Sequence, residues 1–176
     1  MANTAPNTQL RALEFLGDAK LYATQMNSLI QRSPMFENFN LAEVRLLASF
    51  MSAYRAQAEV EVICEGEPGD FMMLLLEGSI QVFKRDRWNG QRLIAVLQPG
   101  HTVGEMSMID GEPRFATCKA EESCLVTVLT REALARIILE QPVLGAKILM
   151  ELVLMLSQRL RQTSQRLVGY MDHDNK

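Results

Sequence analysis

T-V-G-E-M-S-M-I-D-G-E-P-R-F-A-T, residues 102–117, is the most informative stretch of this 176-residue chain. Gly104 and Glu105 lie between two strand-like runs, and the short segment after them has room for one or two helical turns. A helix starting there aims the free backbone N–H groups of Met106 and Ser107 at any nearby anion. Arg114 carries a planar guanidinium fork suited to two phosphate oxygens, and the Glu105 carboxylate is an acceptor for a sugar hydroxyl. A glycine beside it lets a ligand approach the main chain closely. One anion, one cation and a tight backbone so close in sequence suit a small phosphorylated sugar better than a catalytic dyad.

Working outward, residues 59–128 are built of short β-rich runs: V-E-V-I-C, F-M-M-L-L-L-E-G, S-I-Q-V-F-K-R, R-L-I-A-V-L, R-F-A-T-C-K-A and C-L-V-T-V-L. Turn signals separate them at 66–69, Gly78, Asn89-Gly90, Pro99-Gly100 and 110–113. Asn89-Gly90 predicts a hairpin with the positive φ of a type I′ turn. Closely spaced strands with regular turns argue for a sandwich or barrel over a parallel α/β sheet. Upstream, three- and four-residue spacings from Leu10 to Ile30 predict helix over residues 9–32, stopped by Ser33-Pro34. Asn40 and Glu43 resemble a capping box opening a helix with the stripe Leu41, Val44, Leu47, Ala48 and Met51. After Thr130 helical periodicity returns and holds to about Tyr170.

Composition narrows the function classes. A net charge of −3 gives no general pull toward DNA or anionic lipid. No apolar run reaches the roughly 18 residues of a membrane span, and the first residues lack a signal peptide's basic and apolar regions. Cys64, Cys118 and Cys124 form no C-x-x-C pair, and an odd count suits a reducing compartment, so the expectation is a cytoplasmic protein with core cysteines. Two histidines, at 101 and 173, cannot supply the cluster a barrel metalloenzyme needs, so no metal and no enzyme activity are expected.

These residues resemble the cyclic nucleotide-binding domains of bacterial catabolite activators and of cyclic-AMP-dependent protein kinase regulatory subunits. That family's phosphate cassette reads roughly F-G-E-[LI]-[AS]-L, a spacer, then R-[AS]-A-T-V, and V-G-E-M-S-M-I-D-G-E-P-R-F-A-T-C aligns with it ungapped. I-C-E-G-E-P-G-D-F-M-M-L-L-L-E-G-S-I-Q-V-F and L-Q-P-G-H-T-V-G-E resemble the flanking family motifs. The resemblance covers about residues 41–167. It implies an α+β fold: an antiparallel β-barrel of the double-stranded jelly-roll, cupin-like type, with N-terminal helices and a long C-terminal dimerisation helix. It divides the chain into a helical extension at 1–40, the nucleotide-binding barrel with its flanking helices at 41–140 and the dimer helix at 141–170. It gives Glu105 to the ribose 2′-hydroxyl and Arg114 to the cyclic phosphate, with Gly104, Met106, Ser107, Phe115 and Ala116 lining the site. Val103 and His101 depart from the usual Phe and Asp. Phe115 replaces the usual small residue, so its ring would stack on the base or crowd the pocket. It offers no hydroxyl for cyclic GMP, and cyclic AMP is the expected ligand.

Leu149, Val153, Leu156, Leu160, Thr163, Leu167 and Tyr170 follow alternating steps of four and three, a heptad seam that predicts a homodimer. Ile148, Leu152 and Met155 form a second face to pack on the barrel. R-L-R-Q-T-S-Q-R-L is similar to the activators' dimer helix, which makes Thr163 and Ser164 base-contact candidates. Six residues follow Tyr170, so no counterpart of the activators' helix-turn-helix module is expected. The expected protein is thus a receptor signalling to an unidentified protein partner, without DNA or membrane binding. The alternatives are the same fold binding cyclic di-GMP, or binding no nucleotide and acting as an interaction module.

Overall fold

Two strands with no polar face organise the molecule. A computed structural model describes residues 8–30 and 39–174, and in it β4 (Phe71–Glu77) and β9 (Cys124–Thr130) are buried along nearly their whole length. They pair antiparallel at the centre of a five-stranded sheet. That sheet runs β1 (Glu14–Asp18), β2 (Ser52–Ala56), β9, β4, β7 (Thr102–Val103). A second sheet runs β3 (Glu61–Ile63), β8 (Thr117–Ala120), β5 (Ile80–Arg85), β6 (Gln91–Leu97).

Because successive side chains of a strand point to opposite faces, β4 and β9 serve two cores at once. Phe71, Met73, Leu75, Val126 and Val128 face the second sheet and meet Val62, Ile63, Ile80 and Cys118 there. Met72, Leu74, Leu76, Leu125 and Leu129 face a helical layer. That layer comprises α1 (Ala23–Ile30), α2 (Leu41–Ala48), α4 (Arg131–Glu140) and the start of α5 (Pro142–Asp174), with Met108 of α3 (Glu105–Asp110). The architecture is a helix layer on a jelly-roll pair of sheets. Among the described strands no ladder joins the two sheets, so the expected barrel is open. Its edges include β3 and β7, three and two residues long, too short to close it.

The N-terminal segment is not the continuous helix that its leucine spacing predicts. Residues 14–18 form a strand on β2, with a bulge between Phe15 and Gly17, and Gly17 has φ +108°, outside any right-handed helix. Leu10, inside the 3-10 turn Thr8–Ala12, and Leu13, just after it, are joined by the Leu13 N–H donating to Leu10 O, and both plug the inter-sheet core. After that turn, helix is confined to Ala19–Tyr22 (3-10) and α1, and the stop at Ser33-Pro34 lies outside the described residues. The capping box is present: the Glu43 N–H donates to Asn40 Oδ1, and the Asn40 N–H donates to Glu43 Oε2, both at 3.0 Å. The β5–β6 hairpin forms with a different turn. Only Asn89 has positive φ, at +63°, and the Asp86 carboxylate closes the loop by accepting from the N–H groups of Trp88 and Gly90.

α5 buries Ile148, Leu152 and Met155 as expected. It crosses α4 at Gly145, where an added Cβ would lie 2.9 Å from the Ile138 Cα and 3.0 Å from its Cγ1. Alanine is the better helix former by about 1 kcal/mol, but overpacking against main chain typically costs about 1–3 kcal/mol. Gly145→Ala is therefore expected to lower stability by up to about 2 kcal/mol, read as a lower urea midpoint with unchanged slope.

Candidate ligand-binding site

The loop at residues 64–70, the turn from β7 into α3, and the approach to β8 all meet at Arg114. Its side chain is 2% exposed. Nη1 donates to the carbonyls of Phe71 and Gly104, each at 2.8 Å, and the guanidinium lies 4.3 Å from the Phe71 ring centre. Its main chain is clamped as well: the Arg114 N–H donates to Glu67 O, and the Gly66 N–H donates to Arg114 O. Two glycines make room for the arginine. A Cβ on Gly69 would lie 2.0 Å from Arg114 Nε, and one on Gly104 would lie 2.8 Å from Nη1. Gly104 also turns the chain into α3 with φ +87°. Nε and Nη2 are buried without hydrogen-bond partners. Burial pulls the guanidinium pKa down, against the carboxylates of Asp70 and Glu105 and the Cys118 sulfur, which raise it.

Glu105 opens α3 at 1% exposure. Oε1 accepts from Arg159 Nη1 in an ion pair, while Oε2 is buried without a partner. Arg159 Nη2 also donates to Thr102 O at 2.9 Å. The α5 helix is thereby latched to the cassette. Sequence reasoning missed Arg159, yet a signal was there: Ile148, Leu152, Met155 and Arg159 continue one stripe at steps of four, three and four, an arginine in line with buried apolar residues.

Met106 is partly exposed and Ser107 buried, and their N–H groups lie in the first turn of α3. The other end of α3 is held by Arg131, whose Nε and Nη2 donate to the carbonyls of Met108 and Ser107, both at 2.6 Å. Ala116 is buried in the inter-sheet core, whereas Phe115 is 54% exposed. The Lys84 ammonium sits 4.3 Å from the Phe115 ring centre and donates to Phe115 O and Glu65 Oε1. Gly104, Glu105 and Arg114 thus converge, with Ser107 buried in the same first turn of α3. Thr163 and Ser164 do not join them: both are exposed on α5, one turn beyond Arg159.

A family model for the cyclic nucleotide-binding domain matches residues 55–141. The crystal structure of a cyclic nucleotide-binding domain from Methylobacillus flagellatus superposes with a TM-score of 0.85 at 34% identity, covering 96% of this chain and 95% of that one. The chain belongs to the cyclic nucleotide-binding domain family. The CRP-like cAMP-activated global transcriptional regulator of Mycobacterium tuberculosis is 24% identical over 149 residues, 85% of this chain and 65% of its own. The cyclic AMP receptor protein of Thermus thermophilus is 27% identical over 135 residues, 77% of this chain and 61% of its own. The chain therefore spans a little under two thirds of these curated relatives. Among the described residues no helix is long and apolar enough to cross a membrane.

The cyclic nucleotide-binding fold leaves Glu105 with a carboxyl raised above its ordinary value of 4.5, because burial outweighs the pull of Arg159 and Arg114. A carboxyl raised in the folded state holds its proton there longer than in the unfolded chain. Its contribution therefore makes stability fall as pH rises through the window above 4.5. Wild type relative to Glu105→Gln should lose stability across that window in urea titrations at stepped pH. The opposite slope would mean that the ion pair with Arg159 outweighs burial.

Proposed function

We propose that the chain is a non-enzymatic receptor for cyclic AMP, built to convert occupancy of the cassette into a change at α5. The observation that carries this reading is a set of buried polar atoms left open in one place: Nε and Nη2 of Arg114, and Oε2 of Glu105. Buried groups of this kind normally have partners. A cyclic phosphate offers acceptors to the guanidinium, and a ribose 2′-hydroxyl offers a donor to the carboxylate. Gly104, Met106, Ser107 and Ala116 would line the phosphate and sugar, with Phe115 toward the base. Phe115 has no hydroxyl to read a guanine, which favours adenine over guanine and cyclic AMP over cyclic GMP.

The output would be carried by protein contacts, without DNA or membrane binding, in a cytoplasmic homodimer. Leu149, Val153, Leu160 and Leu167 are exposed on α5 and Leu156 is half-buried, so among the described residues these seam positions are left largely uncovered. Pairing two such helices would bury them. Thr163 and Ser164 sit within the same stretch, available to a base once a second helix closes over the site.

Calorimetric titration with cyclic AMP, cyclic GMP and cyclic di-GMP tests the ligand. Removing one member of a buried, hydrogen-bonded charge pair typically costs about 2–5 kcal/mol. Arg114→Ala should weaken cyclic AMP binding by roughly 30- to 4,000-fold. Unchanged affinity in that variant, or binding of cyclic di-GMP alone, would overturn the reading. For the dimer, Leu156→Glu with Leu160→Glu should yield monomers by light scattering, since each would bury an unpaired charge. Cyclic AMP should tighten the wild-type dimer by about 5- to 150-fold, and Thr163→Val should shrink that effect.

A further inference from the structure

The β5–β6 hairpin presents a surface that the nucleotide site does not use. Among the described residues β6 is the outer strand of its sheet, hydrogen-bonded on one side only, and every residue from Gln91 to Val96 is exposed. Strands at sheet edges are usually shielded by charge, proline or a covering loop, because their outward N–H and C=O groups invite pairing. Here the side chains are mostly apolar. A bulge at Ile94 brings Leu93 opposite Phe83 and Val96 opposite Gln81, so Leu93 and Val96 share the outer face although three positions apart. Trp88, the only tryptophan in the chain, stands at the tip at 69% exposure.

The same hairpin is locally basic. Residues 84–92 hold Lys84, Arg85, Arg87 and Arg92 against the single acid Asp86, in a chain whose net charge is −3. Lys84 is paired with Glu65, and Arg92 with Asp86. Among the described residues neither Arg85 nor Arg87 makes a salt bridge within 4 Å, although the Arg85 charge acts on Glu65, and Arg87 stacks on Trp88 with its guanidinium carbon 4.0 Å from the ring centre. A second copy is a poor occupant for this edge. Antiparallel pairing of two β6 strands sets each tip against the other's strand end, and residues 87–104 contain no acidic side chain.

The geometry points to β6 as a docking edge for an extended, acidic segment of a partner protein. That segment adds a strand to the sheet, lays apolar side chains on Leu93 and Val96, and sets carboxylates against Arg85 and Arg87. Main-chain hydrogen bonds would supply affinity, and alternate side chains with end charges would supply selectivity. Lys84 ties the base of the hairpin to Phe115, but Leu93, Val96, Arg85 and Arg87 are not cassette residues, so failure of a nucleotide titration and failure of this proposal are separate results.

The probe is a blocked ten-residue peptide alternating Val with Thr and ending in three Asp, compared with the same peptide ending in three Lys. Both are added at millimolar concentration to nucleotide-free full-length protein. Amide hydrogen exchange of residues 92–96 and Trp88 fluorescence are the readouts. The Asp peptide should protect the β6 amides and shift Trp88 emission, with the Lys peptide at least about tenfold weaker. Arg85→Glu with Arg87→Glu, both exposed, should erase or reverse that preference and leave the thermal midpoint in place. The inference is overturned by absent protection of β6 or by equal binding of the two peptides. Protection that grows with protein concentration alone would instead assign the edge to a second copy. A Trp88 response confined to phosphatidylserine vesicles would assign it to lipid. Both results also overturn the inference.

Discussion

A guanidinium sealed from water at the meeting point of three loops is the constraint around which the rest of the sandwich is arranged. Moving such a cation out of water costs several kcal/mol even after relaxation. The protein offsets part of that with the carbonyls of Phe71 and Gly104 and the face of the Phe71 ring. The chain must then supply glycine at 69 and 104, because any Cβ there collides with the arginine. It must also fold the loop at 64–70 tightly enough to exchange main-chain bonds with residue 114. Cys118 lies in the same neighbourhood, and burial pushes its thiol up to about 12, which leaves it a small apolar core residue and not a nucleophile.

The doubly buried pair β4 and β9 gives this site its rigidity. Both strands serve the inter-sheet core on one face and the helix layer on the other. A displacement on the cassette side is therefore separated from α5 by one strand's thickness. α3 nevertheless touches the helix layer through Met108, and polar contacts reinforce that link. Arg131 joins the C-terminal carbonyls of α3 to the first residue of α4, and Arg159 joins Glu105 to α5. With the close crossing at Gly145, these contacts make a closed circuit from α3 through α4 and α5 back to α3.

Features written in local chemistry were legible in the sequence. The Asn40–Glu43 box, the continuous apolar runs of β4 and β9 and the buried face of α5 each follow from the residues in the element itself. The cassette was legible because glycine, acid and arginine lie within one short segment. What failed depended on distant partners. Leu10, Leu13 and Leu16 keep helical spacing, but the edge of β2 captures residues 14–18, and nothing in that stretch announces its partner. Asn-Gly suggested a two-residue turn, whereas the Asp86 carboxylate stabilises a longer loop from outside the dipeptide. Arg159 went unnoticed because its role appears only once α5 is laid against β7 and α3. Thr163 and Ser164 are solvent-facing in the monomer, for their proposed role needs a second helix.

The length of α5 gives the Arg159 latch a mechanical meaning. From the fixed crossing at Gly145 to Arg159 is 14 residues, about 21 Å of helix, and from Gly145 to the helix end at Asp174 is about 44 Å. A rigid rod pivoting at Gly145 and pushed at Arg159 moves its far end about twice as far as the point of contact. A shift of half an ångström in the Glu105 carboxylate, too small to disturb the sheets, would thus become about one ångström at the tip. Such leverage would give amplification wherever the packing of Ile148, Leu152 and Met155 lets α5 tilt, with no change in the two sheets.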